Sequence, residues 1–174
     1  MDMETETREM ALAQYVAQYR DADLFAGYCR ECGNYGRCWL CPPFARDDVP
    51  DFGAFRHIML IAARFEVGDD VAPAEVMEYL RHERIRLEEK LLDLEKEKGG
   101  RAFGFSGSCP YCECCSRSEG ESCRHPEKAR PSLEAYGFDL CRTMEELFGR
   151  SLQWSESGAP LRDVTLIGAL IYNG

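Results

Sequence analysis

The stretch Cys109 to Pro126, CPYCECCSRSEGESCRHP, places five cysteines within fifteen residues: Cys109, Cys112, Cys114, Cys115 and Cys123. Cys109, Cys112 and Cys115 are spaced three apart, and Cys123 follows after seven intervening residues. A second group, Cys29, Cys32, Cys38 and Cys41, begins about eighty residues upstream. Thiolates crowded in this way repel one another, so the crowding calls for a bound cation or cluster. Such soft ligands select zinc, copper(I) or iron–sulfur clusters over hard cations.

The first group reads as two turns, Cys29-x2-Cys32 and Cys38-x2-Cys41, separated by five residues. Paired turns of this kind hold zinc, each giving one edge of a tetrahedron, although the central gap is shorter than in common zinc ribbons. The second group has three cysteines in one tight loop and one distal cysteine, which is how ferredoxin-type [4Fe–4S] clusters are held. The proline that usually follows the fourth ferredoxin ligand is displaced here by Arg124 and His125, whereas Cys41 is followed directly by Pro42. The expected metal ligands are therefore Cys29, Cys32, Cys38, Cys41, Cys109, Cys112, Cys115 and Cys123. For the second group a [4Fe–4S] cluster is the leading cofactor and zinc the alternative; for the first group the two stand level. Cys114 is set aside as a spare thiol, and Cys141 reads as a buried structural one. His125 is a ligand, an outer hydrogen-bond donor or a surface residue.

The chain has 174 residues, a length suited to a single metal-binding domain over 1–174. Its formal net charge of -10 argues against nucleic acid and against an anionic membrane surface as partners. The N-terminus, MDMETETREM, lacks the apolar core of a signal peptide, and no apolar run reaches the roughly 18 residues of a spanning helix. A cytoplasmic location is expected, where thiols stay reduced and serve as metal ligands or redox groups rather than disulfides. The functions compatible with this are electron transfer or redox chemistry on one or two clusters, a zinc-stabilised binding module, or an enzyme with an open-sided metal site. The partner is then a redox protein or a small-molecule substrate.

Hydrophobic periodicity predicts an N-terminal helix over 5–20, a short strand over Leu24 to Tyr28, and a cysteine loop over 29–44. The run HIMLIAARF from His57 to Phe65 predicts a buried strand. Pro73 to Lys98 predicts the longest helix, opened by proline and closed by Gly99-Gly100, so that a strand–helix unit spans 57–98. The charge run from Arg81 to Lys98 reads as a solvated face. A short strand at Ala102 to Phe105 leads into the second cysteine loop, 109–126. A short helix at Pro131 to Tyr136, a helix over Met144 to Phe148 capped by Thr143 and Glu146, and a C-terminal strand over 164–172 complete the chain. The fold class is α+β or α/β: a small mixed sheet with packed helices and two cysteine-rich loops. If the strand–helix–strand unit is a crossover, the two loops can lie together.

Two ordered motifs carry a resemblance. The first is Cys29-x2-Cys32-Gly33-Asn34-Tyr35-Gly36, followed by Trp39 and Cys41-Pro42-Pro43-Phe44. The second is Cys109-x2-Cys112-x2-Cys115, then Cys123-Arg124-x-Pro126, then Arg130-Pro131-Ser132-x-Glu134-Ala135-x-Gly137. Together they resemble a prokaryotic family of predicted metal-binding proteins, domain of unknown function 2284, found mainly in anaerobes. The resemblance runs from about Tyr28 onward. It implies a metal or iron–sulfur protein and no particular reaction; Cys38, Cys114 and Cys141 fall outside the shared motif.

Overall fold

A computed structural model describes residues 1–153 and 162–174. In chain order its regular elements are β1 (Glu4–Ala11), α1 (Leu12–Tyr19), α2 (Ala22–Glu31), β2 (His57–Glu66), α3 (Pro73–Lys98), β3 (Arg101–Phe103), α4 (Leu140–Phe148) and β4 (Asp163–Tyr172). The two longest apolar runs, β2 and β4, pair antiparallel along their whole length, from His57 opposite Tyr172 to Glu66 opposite Asp163. The sheet order is β1-β2-β4-β3, and every neighbouring pair is antiparallel. The fold is therefore α+β, and the sheet is not mixed. β2 and β3 both run against β4, so they are parallel to each other, with α3 as the crossover and β4 inserted between them.

Both faces of the sheet are covered, which is why β2 and β4 read as unbroken apolar runs. Ile58, Leu60 and Ala62 of β2 and Ile167, Ala169 and Ile171 of β4 pack with Leu12, Tyr15 and Tyr19 of α1 and Leu140, Met144 and Phe148 of α4. The alternate residues, Ile61, Ala63, Leu166 and Leu170, pack against Leu87 and Leu91 of α3. Each fully buried Leu or Ile contributes about 1.5–3 kcal/mol of transfer free energy. Gly168 faces α3, and a Cβ there would stand 3.0 Å from the Phe105 ring; its small size lets Phe105 lie flat on the sheet.

The predicted helix over 5–20 divides into β1 and α1. Its first half, ETETREMA, gives no apolar face, and it supplies the edge strand that satisfies β2, with Glu4 opposite Arg64 and Ala11 opposite His57. The predicted strand over Leu24 to Tyr28 is helical, because the Asp21 side chain caps α2 by accepting from the Leu24 amide at 3.1 Å. Helix α4 starts at Leu140, four residues before the predicted Met144. Asp139 caps it, accepting from the Arg142 amide at 2.9 Å, while Thr143 donates to the Asp139 carbonyl and Glu146 pairs with Arg142. Helix α3 has the predicted bounds, with Pro73 in its first turn and Gly99 in the left-handed conformation at its end.

Candidate metal centre

The first cysteine loop grows out of α2: Cys29 lies on its last turn and Cys32 is its C-cap. The chain then folds through successive tight turns, in which Tyr35 N–H donates to Cys32 O and Cys41 N–H to Cys38 O. Gly36, at φ 70°, takes the left-handed conformation and donates to Pro42 O at 2.8 Å, closing the loop on itself. The second loop is pinned at its base by Gly104 N–H to Pro131 O, and Arg130 ties it to α3 through two hydrogen bonds to Glu95, at 2.7 and 3.1 Å.

The two loops meet. Arg117 of the second loop donates to three carbonyls of the first, those of Cys38 (3.1 Å), Cys41 (2.7 Å) and Pro43 (2.7 Å). Its guanidinium also lies 4.7 Å from the Trp39 ring centroid, at cation–π distance. Trp39 returns two contacts: its indole N–H donates to Glu121 O at 3.0 Å, and its backbone N–H donates to Cys115 Sγ at 3.4 Å. The backbone N–H of His125 donates to Cys123 Sγ, also at 3.4 Å. Thus His125 reaches a cysteine sulfur through its amide, and its ring sits beside Tyr111 with centroids 5.9 Å apart.

Five thiols, Cys38, Cys109, Cys112, Cys115 and Cys123, line one narrow cavity of about 10 Å³, roofed by Trp39 and Leu40 and bordered by Tyr111. Cys38 therefore stands with the second group as well as with its own. A hydrogen bond from Cys41 holds the Cys38 thiol down to about 6, with further help from the Leu40 and Cys109 amides and from Cys115. Cys41 is pushed up, first by donating to Cys38, then by burial and by the nearby charges of Cys38, Cys32 and Cys29. Cys29, Cys32 and Cys41 thus form a neighbourhood behind Cys38. Cys109 is pushed up by burial. Among the described residues no three His, Cys, Asp or Glu side chains are arranged around one ion position. Of the cysteines set aside, Cys114 is exposed and Cys141 is half-buried rather than buried.

Beneath the cavity lies a charged pair that the sequence reading assigned to a solvated face. Arg84 and Glu88 of α3 are only 5 % and 2 % exposed. Arg84 donates to the carbonyls of Phe105 (2.6 Å) and Ser108, one residue before Cys109, while Phe105 N–H donates to Glu88 Oε1 at 2.9 Å. The pair itself is loose, at 3.6 Å, and burial pulls Arg84 down and pushes Glu88 up to about 7. Arg84 Nε, Glu88 Oε2 and the Tyr111 hydroxyl are buried with no hydrogen-bond partner among the described residues. A Cβ at Gly104 would come within 2.2 Å of Arg130 O and 3.0 Å of Glu88 Oε1, so only glycine fits over this pair.

Glu88 carries a pH signature. Its folded carboxyl keeps a proton to higher pH than the ordinary 4.5, so the folded state binds more protons across that range. Its contribution to stability is complete below the ordinary value and is lost as pH rises through about 7. Urea unfolding between pH 4.5 and 7 is expected to show this loss, and Glu88→Gln to remove up to about 1.4 kcal/mol per pH unit of slope. An unchanged slope in the variant would show that Glu88 does not titrate in this interval.

A family model for predicted metal-binding proteins, domain of unknown function 2284, matches residues 16–172, and the chain belongs to that family. No curated protein and no solved structure matches the chain. Among the described residues no helix is long and apolar enough to cross a membrane.

Arg117, which joins the loops, and Arg84 and Glu88, which underlie them, were not expected as site residues. A signal for Arg84 is present in the spacing. Leu80, Arg84, Leu87, Leu91 and Leu94 alternate by four and three, so Arg84 occupies a position on the inward stripe of α3. No comparable periodicity marks Arg117.

Proposed function

We propose that this chain is a cytoplasmic iron–sulfur redox protein. In this reading Cys109, Cys112, Cys115 and Cys123 hold a [4Fe–4S] cluster, and Cys29, Cys32, Cys38 and Cys41 form an adjacent metal site. The observation that carries the proposal is the convergence of five thiols from two distant segments on one cavity. Four of these thiols, Cys109, Cys112, Cys115 and Cys123, have the spacing of three in a tight loop and one distal by which ferredoxin-type clusters are held.

The donor set fits such a group. Its ligands are soft, and the buried Arg84 guanidinium lies close enough to influence Cys109 and Cys38. Tyr111 supplies an unspent hydroxyl at the cavity wall. When bound, a cluster supplies one-electron chemistry with a potential set by charge, hydrogen bonds to sulfur and exposure. The chain's own part is to tune these: the Trp39 and His125 amides donate to Cys115 and Cys123, and the Trp39 side chain and Leu40 limit water. Seating a cluster requires the thiols to turn outward from a space of about 10 Å³.

That small space favours a second reading, a single zinc ion stabilising a binding module. The cysteine spacing of the second loop favours the cluster instead, because it matches ferredoxin-type ligation and is fixed by the sequence, whereas loop side chains repack readily. Anaerobic purification followed by iron, zinc and acid-labile sulfide analysis separates the two. The iron–sulfur reading expects about four iron and four sulfide per cluster-bearing chain. Stoichiometric zinc with no sulfide would replace it by the second reading.

A further inference from the structure

A cleft of about 830 Å³ opens beside the thiol cavity, and Trp39, Leu40, Cys123 and Ala129 line both. This is within the size range of small-molecule sites. Trp39, Phe44 and Tyr136 give it flat aromatic walls, with Phe44 and Tyr136 stacked at 4.9 Å. Trp39 is 38 % exposed, a large apolar surface left uncovered.

Three arginines also line the cleft: Arg101, Arg117 and Arg130. Arg130 is offset by its bidentate contact with Glu95. Arg101 donates to Asp48 O at 2.7 Å, and Arg117 donates to the three carbonyls of the first loop. A carbonyl accepts a hydrogen bond without cancelling charge. Among the described residues neither Arg101 nor Arg117 has a carboxylate within ion-pair distance; Asp48 and Glu95 also line the cleft, so three arginines face two carboxylates and leave a formal excess of one positive charge. This is local positive charge in a chain whose net charge is -10. An electropositive, aromatic-walled recess in an acidic protein selects anions and holds them against their surroundings.

We propose that this cleft binds a small organic anion with a flat apolar body, its carboxylate or phosphate on Arg101 and Arg117 and its body between Trp39 and the Phe44–Tyr136 stack. The ligand would lie against Cys123, beside the metal site. The cleft depends on no particular metal in that site.

The test is isothermal titration calorimetry of anaerobically purified protein with benzoate, phenyl phosphate and the neutral benzamide. Benzoate or phenyl phosphate is expected to bind at least about tenfold more tightly than benzamide. Tighter binding of one anion identifies carboxylate or phosphate as the preferred head group. Arg101→Gln is expected to abolish the preference over benzamide, and Arg101→Lys to keep most of it. Melting temperature and metal content, measured on the same samples, are expected to stay at wild-type values. Equal binding of benzamide, or no binding of either anion by folded protein, overturns the proposal. Metal content is read independently, so failure of the cleft and failure of the iron–sulfur reading are distinguishable.

Discussion

Cys112→Ala is expected to strip the second cysteine group of its metal, leaving Cys114→Ala at the wild-type metal content per chain. Cys112 lines the thiol cavity, whereas Cys114, two residues on, is exposed and points its backbone carbonyl to Arg124. Removing a partner that merely supports a ligand costs about 10- to 100-fold in metal affinity, and removing a ligand costs more. The measurement is metal and sulfide per chain after gel filtration under anaerobic conditions. Equal retention by the two variants would sink the assignment of Cys112. Cys112 and Cys114 make this a sharp comparison, because only one residue separates them in sequence and their environments differ.

Arg84→Leu is expected to destabilise the fold by about 3–5 kcal/mol, the usual cost of breaking a buried charged pair from one side. At pH 8, above the value of about 7 that Glu88 holds beside Arg84, the change leaves Glu88 without its cation or forces it to take up a proton, and it frees the carbonyls of Phe105 and Ser108, which the guanidinium holds. For a chain of this length that corresponds to a fall of about 10 °C in melting temperature. The double variant Arg84→Leu/Glu88→Leu should recover part of the loss, since it removes both charges together. Arg86→Leu is the control: Arg86 pairs with Glu83 on the exposed side of the same helix, where a surface pair contributes about 0–1 kcal/mol. Equal melting temperatures for Arg84→Leu and Arg86→Leu would refute a structural role for the buried pair.

Much of the fold was legible because its signals are local. β2, β4 and α3 are marked by an unbroken apolar run, a second such run, and a proline-to-glycine span with a leucine stripe. Their bounds agree with the structure within one residue. β1 was not legible: its residues have no apolar face, and only pairing with β2 makes it a strand. The short helix α2 depends on one capping aspartate, a signal weaker than the aromatic residues that suggested a strand. The cysteines announced themselves by type and spacing, but their grouping did not. That Cys38 faces Cys109 and Cys115 is a property of the folded chain, set by the Arg117 clamp and the crossover through α3.

The contact between the Trp39 amide and the Cys115 sulfur spans 76 positions of sequence. Such a contact forms only after the intervening strands and helix have docked, because closing so long a loop is unfavourable until tertiary packing offsets it. The first loop brings one thiol, Cys38, to the shared cavity, and the second brings four. A chain that ends before Cys109 therefore has one of the five cavity thiols, Cys38, and none of the Arg117 clamp.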